Sequence, residues 1–487
     1  MEKRRAVFYI FTAFVLGLVV PFLFAAKGVN EKTSQNLIFQ VQSMIENNYV
    51  EEVDNKDLIY GALKGMLNSL DSNSGFLTPE QAQEMRSDLV GEFGGIGIHF
   101  AIQDGIFTVI SPIEDTPAEK VGLRPNDKII RIDGVDTKNL STDDGIKMMR
   151  GAPGTKVILT ILRTGENDLI DFTIIRDIIK IKSVKYEKVD NDIGYLRITD
   201  FKEKTGQEVR EAMVSLNNQK VKGIILDLRY NPGGYLSSAV DVSDLFLPGG
   251  KVIVSVKGRS QKSIRDYYST NVDRFTEQPM VVLINIGSAS ASEIVSAALR
   301  DNKRAVLIGE KSFGKGSVQN IFPLADGSAA RITIAKYYTP TGICIHGLGI
   351  EPDVKVESYY ISRDDSAKLK TISEKEIFKK YIKDHEEMFK NKYKDSSKFK
   401  DIKGGYDKNE FETFLLDPEN IYQLNQKLKN ENLEIEFGLM KRELAKEIRI
   451  KLEGENKYKI LEPETDLQLA QAISIIKSML ILNKDEN

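Results

Sequence analysis

Cysteine occurs once, as Cys344, so no internal disulfide can form, and a chain of 487 residues can build its core without one. Histidine is nearly as scarce. His99, His346 and His385 stand far apart with no HExxH pair, which argues against a zinc site, and no metal or cofactor is expected. Neither sign of charge is in excess. Lys and Arg number 68 against 71 Asp and Glu, a balance that gives no overall pull toward nucleic acid. The bulk composition is ordinary, with 41% hydrophobic and 29% charged residues, which excludes disorder, collagen and a polytopic membrane protein. At roughly 150 residues per domain, the length suggests about three domains.

One apolar run stands out. Lys3, Arg4 and Arg5 precede Ala6 to Phe24, closed by Ala25-Ala26. The stretch is close to the ~20 residues that cross a bilayer as a helix. Its basic leading flank sets the N-terminus inside and the remainder exported. Residues 1–26 therefore read as a signal peptide or signal-anchor helix. The expected body is extracytoplasmic, periplasmic or in the cell envelope, with the membrane as a partner wherever the segment is kept.

Residues 30–93 read as helical. Leu37, Val41, Met44 and Ile45 recur at helical spacing, as do Leu58, Ala62, Met66 and Leu70, with a turn and N-cap at Asp54-Asn55-Lys56-Asp57. Residues 94–176 switch to short strands separated by Gly turns, with an Asp133-Gly134 hairpin turn and a helix over Thr142 to Met149. Residues 177–357 alternate strand and helix. Gly223 to Leu228, Met280 to Asn285 and Ala305 to Ile308 are apolar strands of the buried kind, and a helix over Ser292 to Leu299 completes a βαβ unit. Residues 358–487 are rich in both charges, with helical periodicity in "PENIYQLNQKLK" and "DLQLAQAISIIKSMLIL" and no visible chemistry. The expected fold is α/β multidomain: N-terminal helices, a β-rich module, an α/β catalytic core and a helical C-terminal region.

Two segments can carry chemistry. Gly309, Gly314 and Lys315 fit GxxxxGK, and Asp227 after an apolar strand imitates a magnesium-side acid, so a phosphate-binding loop has to be weighed. It fails at Gly316, where a Ser or Thr hydroxyl is required, and "SVQNIFPLADG" reads as strand and turn instead of helix. The alternative is nucleophilic. "GSASASE" lies where a buried strand turns into a helix, which exposes a serine hydroxyl beside free helix N–H groups. Serine needs a base, and with His scarce Lys is the candidate, provided burial favours its neutral form. Lys315, between two glycines, can approach closely.

The order "SPIEDTPAEKVGLRPNDKIIRIDG" resembles a PDZ domain, a module that binds peptide C-termini. "DLRYNPGG", "GSASASEI", "GEKSFGKGSVQ" and "YYTPTG…GIEPDV", with "LDSNSGFLTPEQ" and "GEFGGIGI" before them, resemble the C-terminal processing peptidases, or tail-specific proteases. The resemblance implies a serine endopeptidase with a Ser-Lys pair and an embedded PDZ domain. It makes Ser290 the nucleophile, Lys315 the base and Gln319 the residue that orients the amine. Oxyanion donors would be the N–H of Ala291 and of Gly233 or Gly234. For the PDZ-like part it implies a carboxylate loop at Gly95, Ile96 and Gly97, running into a receiving strand at Ile98. The implied partners are protein substrates with apolar C-terminal tails, and a homodimer through terminal helices is a family habit. A catalytically silent PDZ scaffold is the alternative.

Neighbouring residues have plainer readings. Ser288 and Ser292 suit turns or caps, Asp301 a cap or ion pair, and Glu293 the helix dipole. Arg229 stays open between an ion pair and a substrate contact. His346 is the rival base nearest downstream of Ser290 and stands where the resembled family usually has a different polar residue, and Cys344 occupies an ordinary position.

Overall fold

Two strands of uninterrupted apolar sequence, Gly223–Asp227 and Met280–Ile284, are fully buried at the centre of a six-stranded sheet. Its order is Val184–Asp190, Ile193–Ile198, Gly223–Asp227, Met280–Ile284, Val306–Gly309, Val354–Lys355. The first pair is antiparallel and the rest are parallel. Strands buried on both faces need apolar residues at every position, which is why alternation is missing here. The period of two still sorts the side chains. Ile224, Leu226, Val282 and Ile284 face the helices Thr205–Asn218, Leu236–Phe246 and Ala291–Asp301. Ile225, Val281, Leu283 and Ile308 face the other way.

The computed structural model describes residues 30–357 apart from 104, 114, 139, 167, 191 and 271–274, and then 362–385, 387, 418–453 and 466–482. The apolar run Ala6 to Phe24 lies outside the described residues; among those described, no helix is long and apolar enough to cross a membrane.

The chain divides into two compact units. One comprises the residues through Glu84 with Gln319–Thr333. Its helices Asn30–Asn48 and Asn55–Asn68 match the predicted pair, and Asp54 caps the second by accepting from Lys56 N–H at 2.7 Å. Strand Gly75–Leu77 pairs antiparallel with Ala329 to Arg331, and the Tyr60 ring lies 4.7 Å from that of Phe76.

The larger unit holds everything else. Its β-rich module has the sheet order Ile98–Gln103, Ile106–Pro112, Lys128–Ile132, Lys156–Leu162, Ile170–Ile175 around Phe107, Val109, Ile129, Ile132, Leu159 and Ile161. Asp133 and Gly134 both take positive φ (48° and 81°), the mirror-image turn that matches strand twist. The predicted helix Thr142–Met149 forms with a capping box from Ser141 and Asp144.

The far end of the chain makes two things. Ile372, Phe378, Leu424, Leu428, Met440 and Leu444 build a small helical core of their own. The last helix, Leu467–Leu482, goes elsewhere: Leu469, Ala472 and Ile476 cover the second face of the central sheet. Each fully buried Leu or Ile there contributes roughly 1.5–3 kcal/mol.

Candidate active site

Ser290 ends the turn between strand Met280–Ile284 and helix Ala291–Asp301. Its backbone is held at φ 54°, ψ −111°, a strained conformation for a residue with a Cβ. The turn is fixed from below. Ser288 Oγ donates to Leu228 O at 2.8 Å and Ser292 Oγ to Asn231 O at 2.9 Å, so both flanking serines are ties to the Leu228–Gly234 loop. Ser290 keeps 8% of its surface exposed, whereas Ser288 and Ser292 have none.

Glu293 plays a larger part than a dipole partner. Its buried carboxylate accepts four hydrogen bonds: Ser290 N–H at 2.8 Å, Lys315 N–H at 2.8 Å, Gly314 N–H at 2.7 Å and Ser312 Oγ–H at 2.6 Å. The first two reach the same oxygen, Oε2. One carboxylate thus joins the backbone of the strained serine to the backbone of the lysine, although 22 residues separate Glu293 from Lys315. Burial pushes the Glu293 carboxyl above the usual range, against the pull of its donors. The Ser-x-x-Glu spacing from Ser290 to Glu293 is a capping-box signature and could have drawn attention to the residue in the sequence.

Lys315 is half-buried on a loop stitched on both sides. Phe313 N–H donates to Ser288 O at 3.0 Å, and Gly347 N–H to Gly314 O at 2.9 Å. A Cβ on Gly316 would meet the His346 backbone nitrogen at 2.2 Å, so the glycine lets the 345–349 segment pack directly behind the lysine. His346 contributes that backbone contact while its surface is exposed.

Gly233 takes φ +104°, and a Cβ there would lie 2.7 Å from Ser290 Cβ and 3.0 Å from Ala291 N. Its own N–H donates to Asn231 Oδ1 at 2.9 Å, while Gly234 is exposed. Gly233→Ala should therefore push the serine aside. We expect a loss of about 10²-fold in kcat, the effect of an ångström-scale misplacement. The accompanying strain of about 1–3 kcal/mol would show in urea unfolding.

The remaining candidates fall into place. Asp301 accepts from Arg300 Nε at 3.0 Å and from Thr341 Oγ1 at 2.8 Å, a structural arrangement. Arg229 is an ion-pair residue: its Nη2 lies 2.6 Å from Asp227 Oδ2, and Tyr195 OH donates to the same oxygen at 2.6 Å. Gln319 belongs to the first unit, where its amide donates to Thr333 Oγ1 at 3.3 Å. Thr333 Oγ1 in turn donates to Asp71 Oδ1 at 3.2 Å, within the LDSNSG segment.

In the β-rich module a groove of about 270 Å³ runs between strand Ile98–Gln103 and helix Thr142–Met149. Gly95, Ile96, Gly97 and Ile98 all line it, with Ile146, Met149 and Arg150 opposite. Gly97 is required by its φ of +81° and by Thr116, whose Cβ would lie 2.4 Å from an added Cβ. His99 lies on the groove's wall and is solvent-exposed.

Family models match in three places: peptidase family S41 over residues 192–356, a PDZ domain over 108–163, and the N-terminal domain of the activating protease CtpB over 25–75. The chain is 43% identical over 364 residues to a carboxy-terminal-processing protease of Bartonella bacilliformis, covering 73% of this chain and 83% of that protein. It is a carboxy-terminal processing protease of peptidase family S41. Similar relatives of the same description come from Bacillus subtilis, at 40% identity over 64% of this chain and 67% of the relative, and from Synechocystis, at 39% over 66% and 76%. The processing protease is a serine-type peptidase with a PDZ domain, and Ser290 and Lys315 both lie within or beside helices and strands of its S41 region. Helix Thr142–Met149, on one side of the groove, lies inside the PDZ match, and strand Ile98–Gln103 lies just before it.

Proposed function

We propose that this processing protease is exported, captures apolar protein C-termini in its PDZ groove, and cleaves near them with Ser290 as nucleophile and Lys315 as general base. The observation that carries the reading is the Glu293 carboxylate that receives both backbone N–H groups. In the forward step, neutral Lys315 takes the Ser290 Oγ proton as Oγ bonds to the scissile carbonyl carbon. The oxyanion draws on the Ala291 N–H and, of the two glycines of the NPGG turn, on Gly234, since the Gly233 N–H is already donated to Asn231 Oδ1. Collapse breaks the C–N bond, and Lys315 returns the proton to the departing amine. Lys315 then deprotonates a water that attacks the acyl carbon, the bond from that carbon to Ser290 Oγ breaks, and Lys315 gives the proton back to Oγ. Gln319, four residues along the chain, is taken from the resemblance alone as the residue that orients the amine. The apolar preference fits Tyr230 and Phe313 beside the serine turn, exposed at 65% and 64%, and the largely apolar groove lining. Dimerisation through terminal helices and membrane attachment through residues 1–26 belong to the same reading.

The test is cleavage of peptides with free and amidated apolar tails, with new C-termini mapped by mass spectrometry. Free tails should be preferred by about tenfold or more, a difference of ~1.4 kcal/mol. Equal cleavage of both removes tail capture, and binding without any cleavage selects the silent scaffold.

A further inference from the structure

The loop that supports the serine is anchored from a place far along the chain. Leu228–Gly234 carries Leu228 O and Asn231 O, the acceptors of Ser288 and Ser292, and Asn231 O also receives Ala289 N–H at 2.9 Å. Two side chains anchor this loop: Asn231, whose Nδ2 donates to Ile198 O at 2.9 Å, and Arg229, 12% exposed. The Arg229 Nε donates to Asp227 at 3.0 Å, and its Nη2 lies 2.6 Å from Asp227 Oδ2 and 2.6 Å from Asp466 Oδ2. Its Nη1 donates to Asp466 Oδ1 at 2.8 Å and to Gln468 Oε1 at 3.1 Å. A guanidinium presents its N–H donors in a fixed fork, and here all three nitrogens donate: Nε and Nη2 to Asp227, Nη1 to Asp466 and Gln468.

Asp466 and Gln468 belong to the start of the last helix. Asp466 Oδ1 accepts Leu469 N–H at 3.0 Å, and Gln468 Nε2 donates to Val356 O at 2.8 Å. The carboxylate is thus set by the helix it caps, and that helix is locked to the sheet through Leu469, Ala472 and Ile476.

We infer that Asp466 is a positioning residue for the peptidase reaction. Acting through Arg229, it fixes the Leu228–Gly234 loop, and with it Gly233, against Ser290 and the Ala291 N–H. Without Asp466, the fork keeps Asp227 and the single Gln468 oxygen but loses the charged carboxylate that meets both Nη1 and Nη2, and the loop can shift by fractions of an ångström. The inference rests on Ser290 being the nucleophile.

The test uses the full chain. Asp466→Asn keeps the shape and removes the charge; Asp466→Ala removes both. Ile476→Val, in the same helix but away from Arg229, controls for looser helix packing. Three quantities are measured: melting temperature, kcat and KM on a tailed peptide, and the rate at which a fluorophosphonate labels the active serine. We expect Asp466→Asn and Asp466→Ala to lose about tenfold or more in kcat and in labelling rate, with KM unchanged. Ile476→Val should lower the melting temperature while kcat stays within about twofold. Unchanged kcat in the Asp466 variants would overturn the proposal alone. So would a fall in kcat that Ile476→Val reproduces at equal loss of melting temperature. Wild-type labelling at a residue other than Ser290 would instead overturn the nucleophile assignment, and this proposal with it.

Discussion

Lys315→Arg should be as inactive as Lys315→Ala, and both should match Ser290→Ala at a loss of roughly 10⁴-fold or more in kcat/KM. Arginine keeps the charge and much of the reach, but it cannot become a neutral base in a protein. A lysine that acts only as a cation would tolerate the exchange. In the proposed mechanism the half-buried Lys315, tied through its backbone to Glu293, accepts a proton, and that role needs a lone pair. The wild-type rate should accordingly rise with pH through one ionisation of the free enzyme and withstand chelators. Folding should survive Ser290→Ala, because removal of one hydroxyl that retains 8% exposure changes stability within about 0.5 kcal/mol. Robust turnover by Lys315→Arg, or loss of the wild-type rate in EDTA, contradicts the assignment.

Glu293→Gln should be damaging out of proportion to its size. The carboxylate faces four donors and offers two oxygens; an amide offers one oxygen and turns an NH₂ toward donors. Each buried group left unsatisfied costs about 1–3 kcal/mol. Displacement of the serine and lysine backbones together should lower kcat by about 10²-fold or more. The pH dependence has a defined sign. Burial holds the folded carboxyl above its unfolded value of about 4.3, so the folded state binds the proton more tightly. The contribution of Glu293 to stability is then greatest below that unfolded value and is lost as pH rises through the raised one. The stability difference between wild type and Glu293→Gln should narrow from acid toward neutral pH in urea titrations. A gap that widens would contradict the direction of the shift.

Much of this was legible in the sequence because it depends on local order. The helix Thr142–Met149 and the strand Lys156–Leu162 follow from capping and periodicity within a few residues. The serine turn follows from an apolar strand that ends at Ile284 a few residues before a helix begins at Ala291. Arg229 could not be resolved that way, because its partner Asp466 lies 237 residues downstream. Glu293 was visible as a helix-start acid, but three of its donors, Ser312, Gly314 and Lys315, come from the loop after strand Val306–Gly309. The last helix reads as an ordinary amphipathic stretch, and nothing in its own residues says which surface it covers.

That helix also bears on how the molecule is made. A chain emerging from the ribosome has produced both central strands by Ile284, yet the surface formed by Ile225, Val281 and Leu283 has no cover until residues 467–482 appear. Such long-range closure is slow and leaves apolar sheet exposed in the meantime. If Asp466 positions the serine loop as inferred above, a chain still lacking this segment would also be slowed, because the carboxylate that meets Arg229 arrives with it. Pulsed hydrogen exchange during refolding should show Ile193–Ile198 and Met280–Ile284 gaining protection together with the last helix. Protection of those strands well before it would mean that the catalytic sheet assembles without waiting for its final piece.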